Sequence, residues 1–197
     1  MGEFFETIHV QNKVARHLLY HQRRYEKTVR DFGGVVHNLA DVIMPKENTL
    51  CRAKLVYTPK EILTCTFSPY TPRKINAIKI VEADLHYDYK YLNREQIDAV
   101  FAKKSGCDEV LFCSNGYIQD TSIANVAFYN GKVWLSPKKP LLPGTTRQRY
   151  IEAKKLFLKD IHVDELPGFS HIALLNAMVD FAIMSIENTT KDIIVVK

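Results

Sequence analysis

The 197-residue sequence predicts a mixed α+β protein in two lobes, and three observations carry that expectation. Short β-branched and aromatic runs alternate with segments of helical period along the whole chain, so strands and helices share one fold. The pair Asn130-Gly131, set between the strand-like runs Asn125 to Tyr129 and Val133 to Leu135, marks a tight hairpin. The chain changes character near Ala83 to Tyr87, which places an expected boundary between an N-terminal lobe, 1–85, and a C-terminal lobe, 86–197.

Each element follows from local pattern. Phe4 to Val10 reads as a strand, the polar Gln11-Asn12-Lys13 as its turn, and Val14 to Leu18 as the returning strand. A helix from about Tyr20 to Gly33-Gly34 sets Tyr25, Val29 and Phe32 at core-compatible spacing. A short helix over Leu39 to Ile43 is stopped by Pro45, and strands follow at Cys51 to Thr58, Leu63 to Phe67 and Ile75 to Val81. Beyond the boundary, Ile97, Val100 and Phe101 recur at helical period within Arg94 to Lys104, and Val110 to Cys113 reads as a strand. Helices are expected from about Arg147 to Leu158 and over Ser170 to Met178, before terminal strands near Ile183 and Ile193. No internal repeat is visible.

With 46% hydrophobic and 25% charged residues, the chain has an ordinary globular composition, which excludes disordered and fibrous classes. A net charge of +5 and a pI near 8.9 give only a weak preference for anionic ligands, because basic and acidic residues are interleaved. Aromatic and basic residues do not alternate as a nucleic-acid surface requires, so no such partner is expected. Cys51, Cys65, Cys107 and Cys113 include no Cys-x-x-Cys pair and no histidine at ligand spacing. They read as reduced, partly buried residues, and no metal is expected. The absence of a secretory signal and of any apolar run near 20 residues makes a cytoplasmic address and no membrane partner the expectation. Glu6 stands where a myristoylation signal needs serine or threonine.

Two stretches carry the chemistry, Asp88-Tyr-Lys90-Tyr-Leu-Asn93-Arg94 and Gly116-Tyr-Ile-Gln-Asp120-Thr-Ser-Ile-Ala-Asn125. A lysine amine can hold an aldehyde cofactor as a Schiff base, and a carboxylate can keep a pyridine nitrogen protonated so that the ring accepts electrons. By themselves the residues also fit a solvated lysine and an aspartate at a turn or helix cap. Further segments are Gly2-x-Phe4-Phe5-Glu6-Thr7-Ile8, Tyr20-His21-x-x-Arg24, Leu141-Leu-Pro-Gly144-Thr145-Thr146-Arg147 and Leu174-Leu-Asn176-Ala177-Met178. An arginine fork and a helix start carrying hydroxyls both suit a phosphate dianion. The polar face of a helix would equally contain His21 and Arg24, and a capped helix after a proline turn would equally contain Thr145 and Thr146.

Taken in order, these six segments resemble the class IV pyridoxal-phosphate-dependent aminotransferases and lyases. The resemblance covers nearly the whole chain and implies the two-lobed fold of the D-amino-acid aminotransferase-like enzymes, with pyridoxal 5′-phosphate as cofactor. It implies Lys90 as the catalytic, Schiff-base lysine of the C-terminal lobe and Asp120 as the partner of the ring nitrogen. Arg24 of the N-terminal lobe, Thr145 and Thr146, and Asn176 with Ala177 are the implied phosphate ligands. Most members carry glutamate where Asp120 stands, so the charge is kept and moved back by about one methylene. The stretch Asp-Arg-Gly-x-x-(Tyr/Phe)-Gly-Asp, which precedes Phe-Glu-Thr in typical members, is missing, so the chain reads as a shortened member.

Within the family, Lys90-Tyr-Leu-Asn93-Arg94 is most similar to the 4-amino-4-deoxychorismate lyases, because branched-chain aminotransferases carry tyrosine where Arg94 stands. The expectation is therefore a lyase that releases pyruvate and leaves 4-aminobenzoate, as in folate biosynthesis. An amino-acid transaminase of D-amino-acid or branched-chain type is the alternative, and a cofactor-binding protein without activity the third. The implied partners are a small anionic amine substrate, with Arg94, Arg147, Arg149 and His86 as carboxylate-clamp candidates, and a second copy in a symmetric homodimer.

Overall fold

The computed structural model describes residues 2–46 and 48–197. The chain forms two compact units, one running from the N-terminus to Pro72 and including Tyr89–Asn93, the other made of Arg73–Asp88 and Arg94–Lys197. This differs from the expected division at residue 85. The strand expected at Ile75 to Val81 pairs with strands late in the chain, which draws it into the second unit. The segment around Lys90, placed by the sequence reading in the C-terminal lobe, returns to the first unit: Phe5 N donates to Lys90 O at 2.9 Å and Leu92 N to Glu3 O at 2.8 Å.

In the first unit, β1 (Phe4–Gln11) and β2 (Val14–Ala15) form the expected hairpin, but the returning strand ends at Ala15 and not at Leu18, which already opens the following helix. Asn12 and Lys13 both take positive φ, 52° and 61°, the conformation whose twist suits a tight antiparallel turn. Helix α1 (Leu18–Asp31) follows, then a single 3₁₀ turn (Leu39–Asp41), β3 (Cys51–Tyr57) and β4 (Ile62–Pro69). The sheet order is β2-β1-β3-β4, antiparallel throughout. Alternate residues of β1 and β3 point into one core, where Phe4, Ile8, Leu55 and Tyr57 meet Tyr25 and Val29 of α1. The helix leaves through Gly34, where a Cβ would lie 1.8 Å from the carbonyl oxygen of Pro59; only glycine permits that approach.

The second unit contains β5 (Ala77–Glu82), α2 (Glu95–Phe101), β6 (Glu109–Ser114), β7 (Tyr117–Thr121), β8 (Asn125–Tyr129) and β9 (Trp134–Pro137). It continues with α3 (Thr145–Glu152), β10 (Phe157–Lys159), β11 (His171–Asn176), β12 (Asp180–Thr189) and β13 (Ile193–Val196). The strand order is β10-β9-β8-β11-β12-β13-β5-β6-β7, and a further pairing of β7 with β8 closes the strands from β8 to β7 into a ring. Ile78, Leu111, Val126, Phe128, Ile172 and Leu174 fill its core. On the outer side, Ala127, Ala173 and Leu175 pack with Leu156, Tyr150 and Ile151.

Two expectations are corrected here. The segment Ser170 to Met178 is not a helix but contains strand β11, flanked by β8 and β12. Its Ile172 and Leu174 belong to the ring core while Ala173 and Leu175 belong to the outer layer. Burial on both faces removes the polar alternation by which a strand is recognised. The expected helix from Arg147 to Leu158 starts at Thr145 and stops at Glu152, after which Lys154 takes φ 56° and the chain turns into β10. Strand β7 was not anticipated, and it places Asp120 in a ladder, neither in a turn nor at a helix cap. All four cysteines are free, three of them buried and Cys65 partly so.

Candidate active site

The candidate residues divide between the two units. In the first, Glu6 of β1 points inward and is completely buried. Arg24 grips it with two donors, Nε to Oε1 at 2.8 Å and Nη2 to Oε2 at 2.6 Å, and His21 Nδ1 lies 2.6 Å from the same Oε2. Helical spacing puts residues 21 and 24 on one face of α1, so both reach one carboxylate. Burial pushes the Glu6 carboxyl upward, but the Arg24 charge and the bonds from His21 and Arg24 more than reverse this and hold it at about 2. Burial also pushes His21 below its usual range, and the charges of Arg24 and Lys90 act in the same direction against the pull of Glu6. A neutral imidazole facing an acceptor-only carboxylate places its hydrogen on Nδ1.

Lys90 belongs to this same unit. Its main-chain carbonyl is bonded to β1, and its ammonium stands 4.5 Å from the centre of the Phe5 ring. Strand β1 therefore sets both groups: Glu6 orients Arg24, and its neighbour Phe5 carries Lys90. Nothing local in Phe4-Phe5-Glu6-Thr7 marks Glu6 as the partner of His21 and Arg24, because that pairing exists only once α1 packs on β1.

In the second unit, Asp120 is buried on β7. Its Oδ1 accepts from Asn125 Nδ2 at 2.7 Å and its Oδ2 from Leu142 N at 2.8 Å. Asn125 donates also to the carbonyl of Leu142 at 2.8 Å, so one amide ties the Asp120 loop to the segment leading into α3. Asp120 and Asn125 are the register pair of the β7–β8 ladder that closes the ring. Burial raises the Asp120 carboxyl to about 6, against the bonds from Asn125 and Leu142 and the charge of Arg147. Asn125 ends the stretch that begins at Gly116, and its place opposite Asp120 gives it a role that spacing alone does not reveal.

Helix α3 begins at Thr145 after Gly144, and no side chain caps it. Thr145 and Thr146 are both buried at this start. A Cβ on Gly144 would lie 1.8 Å from Asn125 Oδ1, so glycine is what lets the helix start approach the Asp120 loop. Asn176 ends β11; its Oδ1 accepts from Met178 N at 2.9 Å and Val179 N at 3.0 Å, which builds the turn containing Ala177. Among the clamp candidates, Arg147 is buried and donates to Ser136 Oγ at 3.0 Å and Pro137 O at 2.6 Å. Arg149 pairs with Asp180, Arg94 donates to Ser122 O at 2.7 Å, and His86 is exposed.

These groups fit a phosphorylated pyridine aldehyde. An uncapped helix start with two hydroxyls suits a phosphate, and a carboxyl poised near 6 in a dry site becomes a strong anion once a ring N–H faces it. The family model for class IV amino-transferases matches residues 62–186. The chain belongs to that family. An uncharacterised protein of Haemophilus influenzae is 31% identical over 186 residues, spanning 90% of this chain and 98% of its own length. A candidate 4-amino-4-deoxychorismate lyase from Haemophilus somnus shares 29% identity and a TM-score of 0.83, covering 90% of this chain and 97% of that one. The pyridoxal-phosphate-bound form of a hypothetical aminotransferase from Mycobacterium tuberculosis shares the fold at 20% identity, TM-score 0.77, over 92% of this chain and 80% of that one. Membership of class IV makes pyridoxal 5′-phosphate the cofactor of this chain. No helix among the described residues is long and apolar enough to cross a membrane.

Proposed function

We propose that the protein is a cytoplasmic lyase that converts 4-amino-4-deoxychorismate to 4-aminobenzoate and pyruvate, acting as a symmetric homodimer. The observation that carries this reading is Arg94, the residue that ends Lys90-Tyr-Leu-Asn93-Arg94 and is bonded to Ser122, two residues beyond Asp120. Similarity to the Haemophilus somnus lyase candidate along nearly its whole length supports it.

In this reading each residue has a role set by its chemistry. The bound cofactor supplies an electron sink that stabilises negative charge on the substrate carbon. Lys90 would hold the cofactor aldehyde, and its amine, neutral once freed, would take the proton from the ring carbon bearing the substrate amine. The electron pair left by that proton would expel the enolpyruvyl ether oxygen from the neighbouring carbon, breaking its C–O bond and making the ring aromatic, and the released enol would take a proton to become pyruvate. Asp120 keeps the pyridine nitrogen protonated, and Asn125 keeps Asp120 in place. Arg24, Thr145 and Thr146 hold the phosphate, with Asn176 and Ala177 contributing the second phosphate segment. Glu6 and His21 fix the direction of the Arg24 fork.

A transaminase acting on D-amino acids or branched-chain substrates would use the same lysine, so the assay must separate the two reactions. Purified protein incubated with cofactor should be yellow and bleach with borohydride, which a protein unable to bind it covalently would not do. Supplying the substrate through a chorismate-aminating enzyme should yield equal amounts of 4-aminobenzoate and pyruvate. Conversion of the bound cofactor to its amine form by amino acids, with no 4-aminobenzoate, would select the transaminase. Light scattering should give twice the monomer mass; a monomer at micromolar concentration would remove the dimer from the proposal.

A further inference from the structure

A concave site lies in the second unit, on the outer face of the ring beside the C-terminal end of α3. It has a volume of about 500 Å³, within the range of small-molecule pockets. Its wall is a continuous aromatic series: Trp134 meets Phe181 edge-on at 5.0 Å, and Phe181 meets Tyr150 at 4.7 Å. Ile183 and Phe157 extend the apolar surface and are 55% and 48% exposed. Large apolar side chains left open to water in a concavity mark a binding surface.

The rim is cationic. Lys132, Lys154 and Lys155 line the pocket and are exposed, and none of them makes an ion pair among the described residues, unlike Lys138 and Lys159 on the neighbouring surface. Asp180, next to Phe181, is already held by Arg149, which also stacks over Tyr150 at 4.7 Å. Lys154 takes the left-handed conformation, φ 56°, at the end of α3, with its N–H bonded to Ile151 O. Glycine is the residue that this helix-ending position favours; lysine there keeps an ammonium at the rim.

We propose that this pocket binds a small planar aromatic polyanion, its ring lying against Trp134, Phe181 and Tyr150 and its carboxylates or phosphates meeting Lys132, Lys154 and Lys155. An aromatic wall whose rings present both faces and edges selects another ring, and three lysines lining one pocket select more than one negative charge. The site is separate from the residues assigned to the cofactor, and the inference does not depend on whether the enzyme is a lyase or a transaminase.

The chain has one tryptophan, and it stands in this wall, so intrinsic fluorescence reports on the pocket directly. Trimellitate, a benzene ring with three carboxylates, is titrated into the full-length, cofactor-loaded protein, with calorimetry in parallel. The expected result is a saturable change in Trp134 emission matching a calorimetric stoichiometry of one per chain. Binding should weaken roughly tenfold in a Lys132→Gln, Lys154→Gly double variant, each lost pair contributing about threefold, while the thermal midpoint stays at or above that of the parent. Tricarballylate, with the same charges on an open chain, should bind at least several-fold more weakly. Equal binding of the two anions, heat without a change in emission, undiminished binding in the double variant, or no saturation would each overturn the proposal. An emission change that follows protein concentration and not trimellitate would also overturn it, by assigning the pocket to a second copy of the chain.

Discussion

Glu6 and Arg24 form a two-pronged ion pair in which the carboxylate is completely buried, with oxygen-to-nitrogen distances of 2.8 and 2.6 Å. A buried carboxylate keeps its charge only if its partners repay the lost hydration, and here Arg24 and His21 do so together. The pair gives the Arg24 cation a fixed direction, as the phosphate-binding role proposed for it requires.

Removing the Glu6 charge should therefore cost much more than a surface ion pair. Glu6→Gln is expected to destabilise the protein by about 3 kcal/mol, measured by denaturant unfolding. The pH dependence has a definite sign. Glu6 is held at about 2, below its ordinary 4.5, so its contribution is complete above pH 4.5 and is lost as pH falls toward 2. The parent should lose that stability over this window, and Glu6→Gln should lack this part of the slope. Cofactor affinity should also fall in the variant, since the Arg24 fork loses its anchor.

Asp120 has the opposite sign. Its carboxyl is raised by burial to about 6 from an ordinary 3.8, so the native state binds the proton more tightly than the unfolded chain. The resulting stability is complete below pH 3.8 and is lost as pH rises through about 6. Asp120→Asn should flatten the stability profile between those values by about 3 kcal/mol in cofactor-free protein, and should abolish turnover because an amide cannot keep the ring nitrogen charged. Thermal unfolding at a series of pH values and a single activity assay check both parts; an unchanged profile would sink the role given to burial.

Gly144 should tolerate no side chain while Asn125 is present. Gly144→Ala places a Cβ 1.8 Å from Asn125 Oδ1, and Asn125 cannot move aside without releasing Asp120 and Leu142. A loss of about 1–3 kcal/mol is expected. Adding Asn125→Ala should recover part of the steric cost, so the two changes should be less than additive in a double-mutant cycle.

Lys90→Ala should leave the fold intact and eliminate the reaction in whichever assay succeeds, because the proton transfer alone contributes roughly 10²- to 10⁴-fold. Borohydride reduction of the parent followed by peptide mapping should place the label on Lys90. Label on any other lysine would remove the assignment.

The sequence by itself determined the class of the protein. Six short motifs in a fixed order, among them Gly116 to Asn125 and Leu141 to Arg147, pointed to class IV, and the hairpins at Asn12-Lys13 and Asn130-Gly131 were legible because their turn residues have local conformational reasons to be there. The strand β11 was not legible, since a segment buried on both faces carries no period that distinguishes it from a buried helix. Nor were the partnerships that organise the site. Glu6 and Arg24 are 18 positions apart and meet only because α1 packs on β1. Asp120 and Asn125 face each other only because β7 closes onto β8. The aromatic wall of the lysine-rimmed pocket joins Trp134, Tyr150 and Phe181 from a strand, a helix and another strand. Local chemistry is written in the order of residues, but which charge meets which partner, and which face water can reach, is set by packing between distant segments, and that was decided by the tertiary structure alone.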